Sequence, residues 1–395
     1  MPRTTVLAAP LAALVDHSAD CFEEDLLSLA RRHLKTLLET SLDLELTAYL
    51  GCSHHARTGS RRGYRNGHYT RDFVSGLGLL ENLRVPRCRE GGFTPSLFER
   101  YQRRHQQVDA FIRNLFFLGV STRGVGEALE LLLGIAPSPA TVSAVVAQVD
   151  AQVKAFHQRE LPDHYLDLFL DAIHLPVKEL PAAKKRAVLV AYGITQDGRR
   201  ELVDYRIAQS ESQAEWERFL NSLYERGLQG ASLQLITTDG GSGLLAALPL
   251  VYGEVPHQLC WVHKLRNVEE HLKKDQVKPC LMQAQGIYRA KTRKAAREAW
   301  KEWKAAWEGV APKAVACLAR DLEGLLTFLD CPAAHHRLIR TTNYIERLLR
   351  EARKRTDLMG AFANKASCDR MLYGVWSRIN RNWSRTVLAA FQGGA

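Results

Sequence analysis

YLDLFLDAIHLPVK, Tyr165–Lys178, is the stretch from which the rest of the chain is read. Leu166, Leu168, Phe169, Leu170, Ile173, Leu175 and Val177 predict a strand buried on both faces. The run nevertheless carries Asp167 and Asp171, and acids seldom enter such strands without a partner. The two lie four residues apart, so alternation puts both on one face and does not choose between them. A second apolar run, LQLITTDGGSG from Leu233 to Gly243, ends in Asp239 just where the chain turns into glycines. Two strands that each deliver a carboxylate to one place form a pattern for holding a divalent cation. The competing reading is an acid that satisfies a backbone turn or pairs with an arginine.

Downstream of Tyr165–Lys178, Ala187–Ile194 and Glu201–Ala208 flank Asp197-Gly198, a short-range hairpin signal. Ser210 or Ser212 then caps an amphipathic helix whose stripe is Trp216, Phe219, Leu220 and Leu223. Leu233–Thr238 reads as strand, Leu244–Val251 as helix and His257–Cys260 as a last short strand. Three antiparallel strands, a helix, then strand, helix and strand is the order of an α/β, ribonuclease-H-like domain. That fold places carboxylates on its first and fourth strands, where Asp171 and Asp239 lie. From Trp261 the pattern is helical for about eighty residues: 264–274, 277–291, 293–307 and 311–329. Trp300, Trp303 and Trp307 share one helix face and read as core rather than as a base-stacking platform. Arg340–Lys354 and Met371–Trp383 are further helices. Glu346, among Arg340, Arg347, Arg350, Arg353 and Arg355, is the candidate third acid. Glu351, five residues on, points about 140° away around the helix.

Upstream, residues 20–50 carry a leucine stripe at helical spacing, with Gly51 as its stop. Asn66-Gly67 is a turn signal, and Phe73–Gly78 and Leu79–Val85 read as a hairpin. Three short helices follow from Val108, one capped by Ser121 and one opening at Ser138-Pro139 and running to Phe156. They are compatible with a helix-turn-helix unit or with a plain helical core. The 395 residues carry a formal net charge of +11, which points to a polyanionic partner. Eleven arginines against four acids leave +7 over residues 57–104, and eleven Lys or Arg against four acids leave +7 over residues 340–385. The eight cysteines have no regular spacing, which fits a reducing compartment better than a disulfide framework. The apolar N-terminal run is short and broken by Pro10, unlike a signal peptide. No stretch approaches the ~18–20 apolar residues of a membrane span.

Seven segments together carry a family resemblance: YRNGHYTR, LRVPRCREGGFTPSLFERYQRR, GVSTRGV, FLDAIHLPVK, ITTDGGSGL, CWVHKLRNV and RTTNYIERLLREARKRT. In this order, over roughly residues 40–385, they resemble the successive motifs of the bacterial Mutator-type insertion-sequence transposases, relatives of the plant Mutator elements. The resemblance implies a DDE-type transposase with the acidic triad Asp171, Asp239 and Glu346. Asp239 follows Asp171 by 68 residues and Glu346 follows Asp239 by 107, across the helical block. It implies Mg²⁺, or Mn²⁺ in its place, as cofactor for cleavage at element ends and joining to target DNA, with a circular intermediate favoured.

The family's Cys-x-x-His falls on Cys260 and His263, and its histidine before the RTTN motif on His335. His336 stands where an aromatic is common. Cys260, His263 and His335 form a candidate Zn²⁺ set, with Cys331 as a fourth ligand that the family does not usually carry. A buried Cys–His hydrogen bond explains Cys260 and His263 equally well.

The implied partner is double-stranded DNA, both terminal inverted repeats and target, bound by a homodimer in the cytoplasm and nucleoid, with no membrane. Arg84, Arg87, Arg89, Arg103 and Arg104 are the candidate DNA contacts of the N-terminal part. Arg340, Arg347, Arg350, Arg353, Lys354 and Arg355 are those near the glutamate. The expected organisation begins with a helical segment (1–50) and a mainly helical DNA-binding region with a short hairpin (51–160). The first part of the ribonuclease-H-like core (161–263), an all-helical insertion (264–335) and the rest of the core with a basic tail (336–395) follow. The alternatives are a catalytically inactive, domesticated regulator derived from a transposase, and a stand-alone nuclease.

Overall fold

The computed structural model describes residues 19–56, 59, 61–89, 92–96, 102–179, 182–357 and 360–391. The run broken by Pro10 and residues 97–101 of the basic stretch lie outside them. The chain divides into two compact units, one ending at Ala147 and the other beginning at Gln148.

In the first unit the leucine stripe makes a long helix, α1 (Ala19–Leu50). Its Leu34, Leu38 and Leu42 press on Phe73, Leu80, Leu83 and Val85 of a two-stranded antiparallel sheet, β1 (Arg65–Ser75) and β2 (Gly78–Cys88). Asn66-Gly67, expected as a turn, lies inside β1. Gly67 takes φ +66° and the register slips between Arg65 and His68, so the pair makes a bulge. The actual turn is Gly76-Leu77, closed by Ser75 Oγ, which donates to Gly78 O at 2.8 Å and accepts from Leu77 N at 3.2 Å. Three helices follow: α2 (Gln106–Phe117), α3 (Thr122–Leu133) and α4 (Pro139–Ala147). Ser121 caps α3 as the sequence predicts, accepting from Gly124 N at 3.1 Å. The helix expected to run on to Phe156 instead breaks after Ala147, with no Gly or Pro to mark the break.

The second unit opens with α5 (Asp150–Gln158) and a five-stranded mixed sheet. Its strands are β3 (Tyr165–Glu179), β4 (Ala182–Thr195), β5 (Arg200–Ala208), β6 (Leu235–Thr238) and β7 (His257–Leu259), in spatial order β5-β4-β3-β6-β7. β3, β4 and β5 pair antiparallel, whereas β6 runs parallel to β3 and β7 parallel to β6. α6 (Gln213–Glu225) and α7 (Ser242–Tyr252) cover one face. Their Trp216, Phe219, Leu220, Leu244 and Leu248 share a core with Leu168 and Leu170 of β3. The odd-numbered residues of β3 turn to the other face, under α14 (Asn343–Thr356) and α15 (Lys365–Trp383). There Tyr192 lies edge-on to Trp383, and Tyr205 edge-on to Trp376.

Between β7 and α14 come α8 (Trp261–Glu269), α9 (Lys274–Arg289), α10 (Arg293–Trp307), α11 (Pro312–Arg320) and the short α12 (Leu322–Leu325) and α13 (His336–Ile339). Two of the three stripe tryptophans, Trp303 and Trp307, are core as expected, and the half-buried Trp300 stacks on Trp303. Trp303 and Trp307 are buried and donate to Cys280 O (3.1 Å) and Gln283 Oε1 (2.6 Å) on α9. Cys52, Cys260, Cys280, Cys317, Cys331 and Cys368 are in no disulfide, and no helix among the described residues is long and apolar enough to cross a membrane.

A buried polar knot ties α5 to the sheet. His157 Nδ1 lies 2.7 Å from Asp204 Oδ1 and its Nε2 3.2 Å from Asp369 Oδ1, while the Tyr205 hydroxyl donates to Asp369 Oδ1 at 2.7 Å. Burial alone would lower the imidazole's pKa; the two carboxylates outweigh it and push it up to about 9, from 6.5. The charged imidazole therefore stabilises the fold fully below pH 6.5, and this contribution is lost as pH rises through about 9. It is expected to be of order 2 kcal/mol. Thermal melts of wild type and His157→Gln from pH 6 to 10 check it: the Tm gap should be widest at pH 6 and close by pH 10. A gap independent of pH would refute a charged His157.

Candidate active site

Asp171 sits mid-strand on β3, opposite Val190 of β4, and is 5% exposed. Its Oδ1 accepts the N–H of Ala172 at 2.7 Å. The parallel register pairs Leu170 with Thr238, so the residue after β6, Asp239, comes level with Asp171 on the neighbouring strand. Asp239 turns the chain into Gly240, at φ +90°, and its Oδ1 accepts the Gly241 N–H at 3.1 Å. Glu346 stands in the first turn of α14, the helix that lies over β3. The Asp171 carboxyl is pushed up to about 7, chiefly by burial, with the charge of Asp239 adding to it and Glu346 adding less. His263 opposes the rise. Asp171 is therefore close enough to Asp239 and to Glu346 to feel the charge of each.

Asp171 and Glu346 line an open pocket of about 430 Å³ together with His263, Arg266, Arg350 and Arg353. Glu346 Oε1 lies 3.1 Å from Arg266 Nη1 and 3.6 Å from His263 Nε2. Glu351, the competing acid, is engaged with Lys354 and Arg355 on its own helix, whose hydrogen bonds hold its carboxyl below the usual range. Among the described residues no group of three or more His, Cys, Asp or Glu is arranged so that it could hold a metal ion. By type, carboxylates are the donors a hard divalent cation takes. The acids present carboxylate oxygens, and Asp171 is destabilised as an anion by burial and by its acidic neighbours.

The candidate zinc residues are only partly gathered. Cys260 and His263 both meet Thr342: the Cys260 sulfur accepts from Thr342 N at 3.3 Å, and His263 Nδ1 lies 3.3 Å from Thr342 Oγ1. His335 instead stacks on Phe391, ring centroids 3.8 Å apart. The Cys331 carbonyl bonds His336 Nε2 at 2.8 Å.

The candidate DNA-contact cations also separate. Arg350 and Arg353 line the pocket and Arg347 is exposed on the same helix. Lys354 and Arg355 are paired with Glu351, and Arg340 donates to Tyr288 O at 2.6 Å while its guanidinium lies over the Tyr288 ring. In the first unit Arg104 pairs with Asp109 at 2.9 Å and Arg87 lies over the Tyr69 ring. Arg84 and Arg89 hold the hairpin by backbone N–H bonds to Glu39 Oε1 and Tyr64 O, and the Arg103 carbonyl accepts from Val74 N.

Sequence reasoning missed Arg266, one turn beyond the Cys-x-x-His pair, and Glu211 in the loop before α6. Glu211 Oε1 lies 3.4 Å from His174 Nδ1. Burial raises its carboxyl pKa, His174 counters this, and Asp239 adds to it. Arg266 could have been suspected from its i+3 spacing to His263; nothing in the sequence marks Glu211.

A family model described as transposase, Mutator family, matches residues 7–386. The chain is 36% identical over 353 residues to the transposase for insertion sequence element ISRM5 of Rhizobium meliloti, covering 89% of this chain and 88% of that one. It is 32% identical to the transposase for IS256 in transposon Tn4001 of Staphylococcus aureus, over 90% of this chain and 91% of that one. Against the transposase for IS905 of Lactococcus lactis it is 31% identical, over 93% of each.

Proposed function

We infer, because this chain belongs to the Mutator family of transposases, that it binds the terminal inverted repeats of an insertion sequence and catalyses strand cleavage and strand transfer at Asp171, Asp239 and Glu346. The observation that carries this reading is the β3–β6 register. It sets Asp239 level with Asp171, and α14 brings Glu346 to the same pocket beside Arg266, Arg350 and Arg353. The strand order β5-β4-β3-β6-β7, with three antiparallel strands followed by two parallel ones, supports a ribonuclease-H-like core. On that reading the helices between β7 and α14 are an insertion that separates the second acid from the third.

Asp171, Asp239 and Glu346 are the residues that would hold Mg²⁺ or Mn²⁺. When bound, the cation supplies Lewis-acid stabilisation of the phosphoryl oxygens and a more acidic attacking hydroxyl or water. The chain's own residues bind and orient the DNA. Arg266, Arg350 and Arg353 supply guanidinium forks for the phosphates flanking the reacting one, and Asp171 and Leu349 form the buried floor. With water as nucleophile the site cleaves an element end; with a 3′-hydroxyl it joins that end to target DNA. The first unit, with its arginine-rich stretch 57–104, is the reader of the inverted repeats, and two copies of the chain pair the two ends.

The test is incubation of the full chain with duplexes carrying matched inverted-repeat ends and Mg²⁺. Binding, cleavage at the end and joining to a second duplex are all expected. Hydrolysis without joining would favour a nuclease, and binding without cleavage in either Mg²⁺ or Mn²⁺ would favour a DNA-bound regulator; either result overturns the reading.

A further inference from the structure

The Cys-x-x-His pair lies where the second and third acids meet. Cys260 follows β7 and is the N-cap residue of α8. Its backbone N–H donates to Thr238 O at 2.8 Å, one residue before Asp239. Its sulfur, 1% exposed, faces the other way and accepts from Thr342 N at 3.3 Å and from Thr342 Oγ1 at 3.4 Å. Thr342 is the N-cap residue of α14, and its own side chain makes no capping bond within that helix. Its carbonyl accepts the Glu346 N–H at 2.9 Å, the helical bond that sets where Glu346 starts. His263, one turn along α8, has Nδ1 3.3 Å from Thr342 Oγ1 and Nε2 3.6 Å from Glu346 Oε1.

We propose that Cys260 and His263 are positioning residues: they clamp Thr342 and so fix the first turn of α14, and with it Glu346, against the strand end that bears Asp239. The clamp uses the atoms a zinc site would need. The Cys260 sulfur is occupied by two Thr342 donors, both His263 nitrogens face Thr342 or Glu346, and His335 is stacked on Phe391. Sulfur's larger radius suits the 3.3–3.4 Å reach better than a hydroxyl's shorter bond length. An N–H left without its acceptor inside this buried junction would be costly, which makes the clamp stiff. The assignment of Glu346 as a reacting-site acid rests on the proposed transposase reading; the clamp on α14 does not.

The test uses the full chain, comparing wild type with Cys260→Ala, Cys260→Ser and His263→Gln. Cys260→Ala is expected to lower kcat for end cleavage about 10- to 100-fold with KM for the DNA unchanged, since an ångström of misplacement has an effect of that size. Cys260→Ser, which keeps an acceptor, should recover most of the loss. Hydrogen exchange in the DNA-free protein should speed up at least about tenfold at residues 342–348 in Cys260→Ala, with α15 unchanged. His263→Gln, at a residue a quarter exposed, tests the same link should Cys260→Ala lose its fold. Unchanged exchange at 342–348, or one zinc per chain that leaves with Cys260→Ala, overturns the clamp. Failure of the wild type to act on any end DNA, with the exchange result intact, would overturn the transposase reading and leave the clamp standing.

Discussion

Asp171→Asn is expected to abolish strand cleavage and joining, by a factor of about 10³ or more, while inverted-repeat binding stays within about twofold. The substitution is nearly isosteric, and the Asn oxygen can still accept the Ala172 N–H, so shape and backbone bond survive. The negative charge beside Asp239 does not. Stability should move the opposite way to activity. The Asp171 carboxyl is held near 7 against an ordinary 3.8 by burial and by Asp239, so the unfolded chain releases this proton more readily than the folded one. Stability therefore falls as pH rises from about 4 to about 7 and stays reduced above that, and the neutral Asn escapes the loss. Without added cation, the variant's Tm at pH 8 should equal or exceed that of wild type, the trade-off typical of a site built for function. End cleavage and melting on the same preparations check both halves. Strand joining at the wild-type rate would strike Asp171 from the reaction, and a large drop in Tm would mean that it serves the fold instead.

Gly243→Ala should have the largest effect on stability. Gly243 lies in the first turn of α7, four residues after Asp239. A Cβ there would fall 2.0 Å from Glu211 O, 2.9 Å from Ser212 C and 3.0 Å from Gln213 N, all of them backbone. No rotamer relieves such a contact. Either the helix start or the 209–213 loop must move, at a cost of roughly 3 kcal/mol or more. For a unit of this size that corresponds to a Tm lower by ~6–12 °C. Because Gly241 N–H bonds Asp239 Oδ1, the shift should reach the acid, and end cleavage should fall about 100-fold as well. Gly286→Ala is the control. Its nearest neighbour, the Ala299 Cβ, is 3.9 Å away, and a mid-helix Ala should raise stability by ~0.5–1 kcal/mol. A Gly243→Ala Tm within about 2 °C of wild type would show that the junction yields more easily than its backbone contacts imply.

Much of the architecture was legible because local patterns and tertiary demands agree. The apolar run of β3, the Asp197-Gly198 turn, the Ser121 cap and the tryptophan face of α10 are each stated by a few neighbouring residues. The pattern misled where local and tertiary demands part. Asn66-Gly67 has the chemistry of a hairpin turn, but β1 runs on through it to place Tyr69 and Phe73 against α1, and the glycine's left-handed backbone is spent on a bulge. The chain breaks after Ala147 although the sequence is helical in texture, because the break is a boundary between compact units. Glu211 and Arg266 carry no motif; they matter through what folds next to them.

The sequence by itself determined the family, the strands and helices, and a short set of acids and cations from which a site could be built. Period-two alternation could not choose between Asp167 and Asp171, because it gives both the same face; the motif resemblance chose Asp171. The parallel register shows how differently the two are placed. Asp167 pairs with Leu235 at the start of β6 and is 2% exposed, with Oδ2 buried and unpartnered, whereas Asp171 falls one step past the Leu170–Thr238 pair, level with Asp239. Glu346, preferred from its motif, lines the pocket beside Asp171 while Glu351 pairs with Lys354 and Arg355, and Cys260 with His263 acquired partners in Thr342 and Glu346 about eighty residues away. Strand pairing and helix packing are long-range contacts, and their geometry is fixed only when the whole second unit has closed around β3.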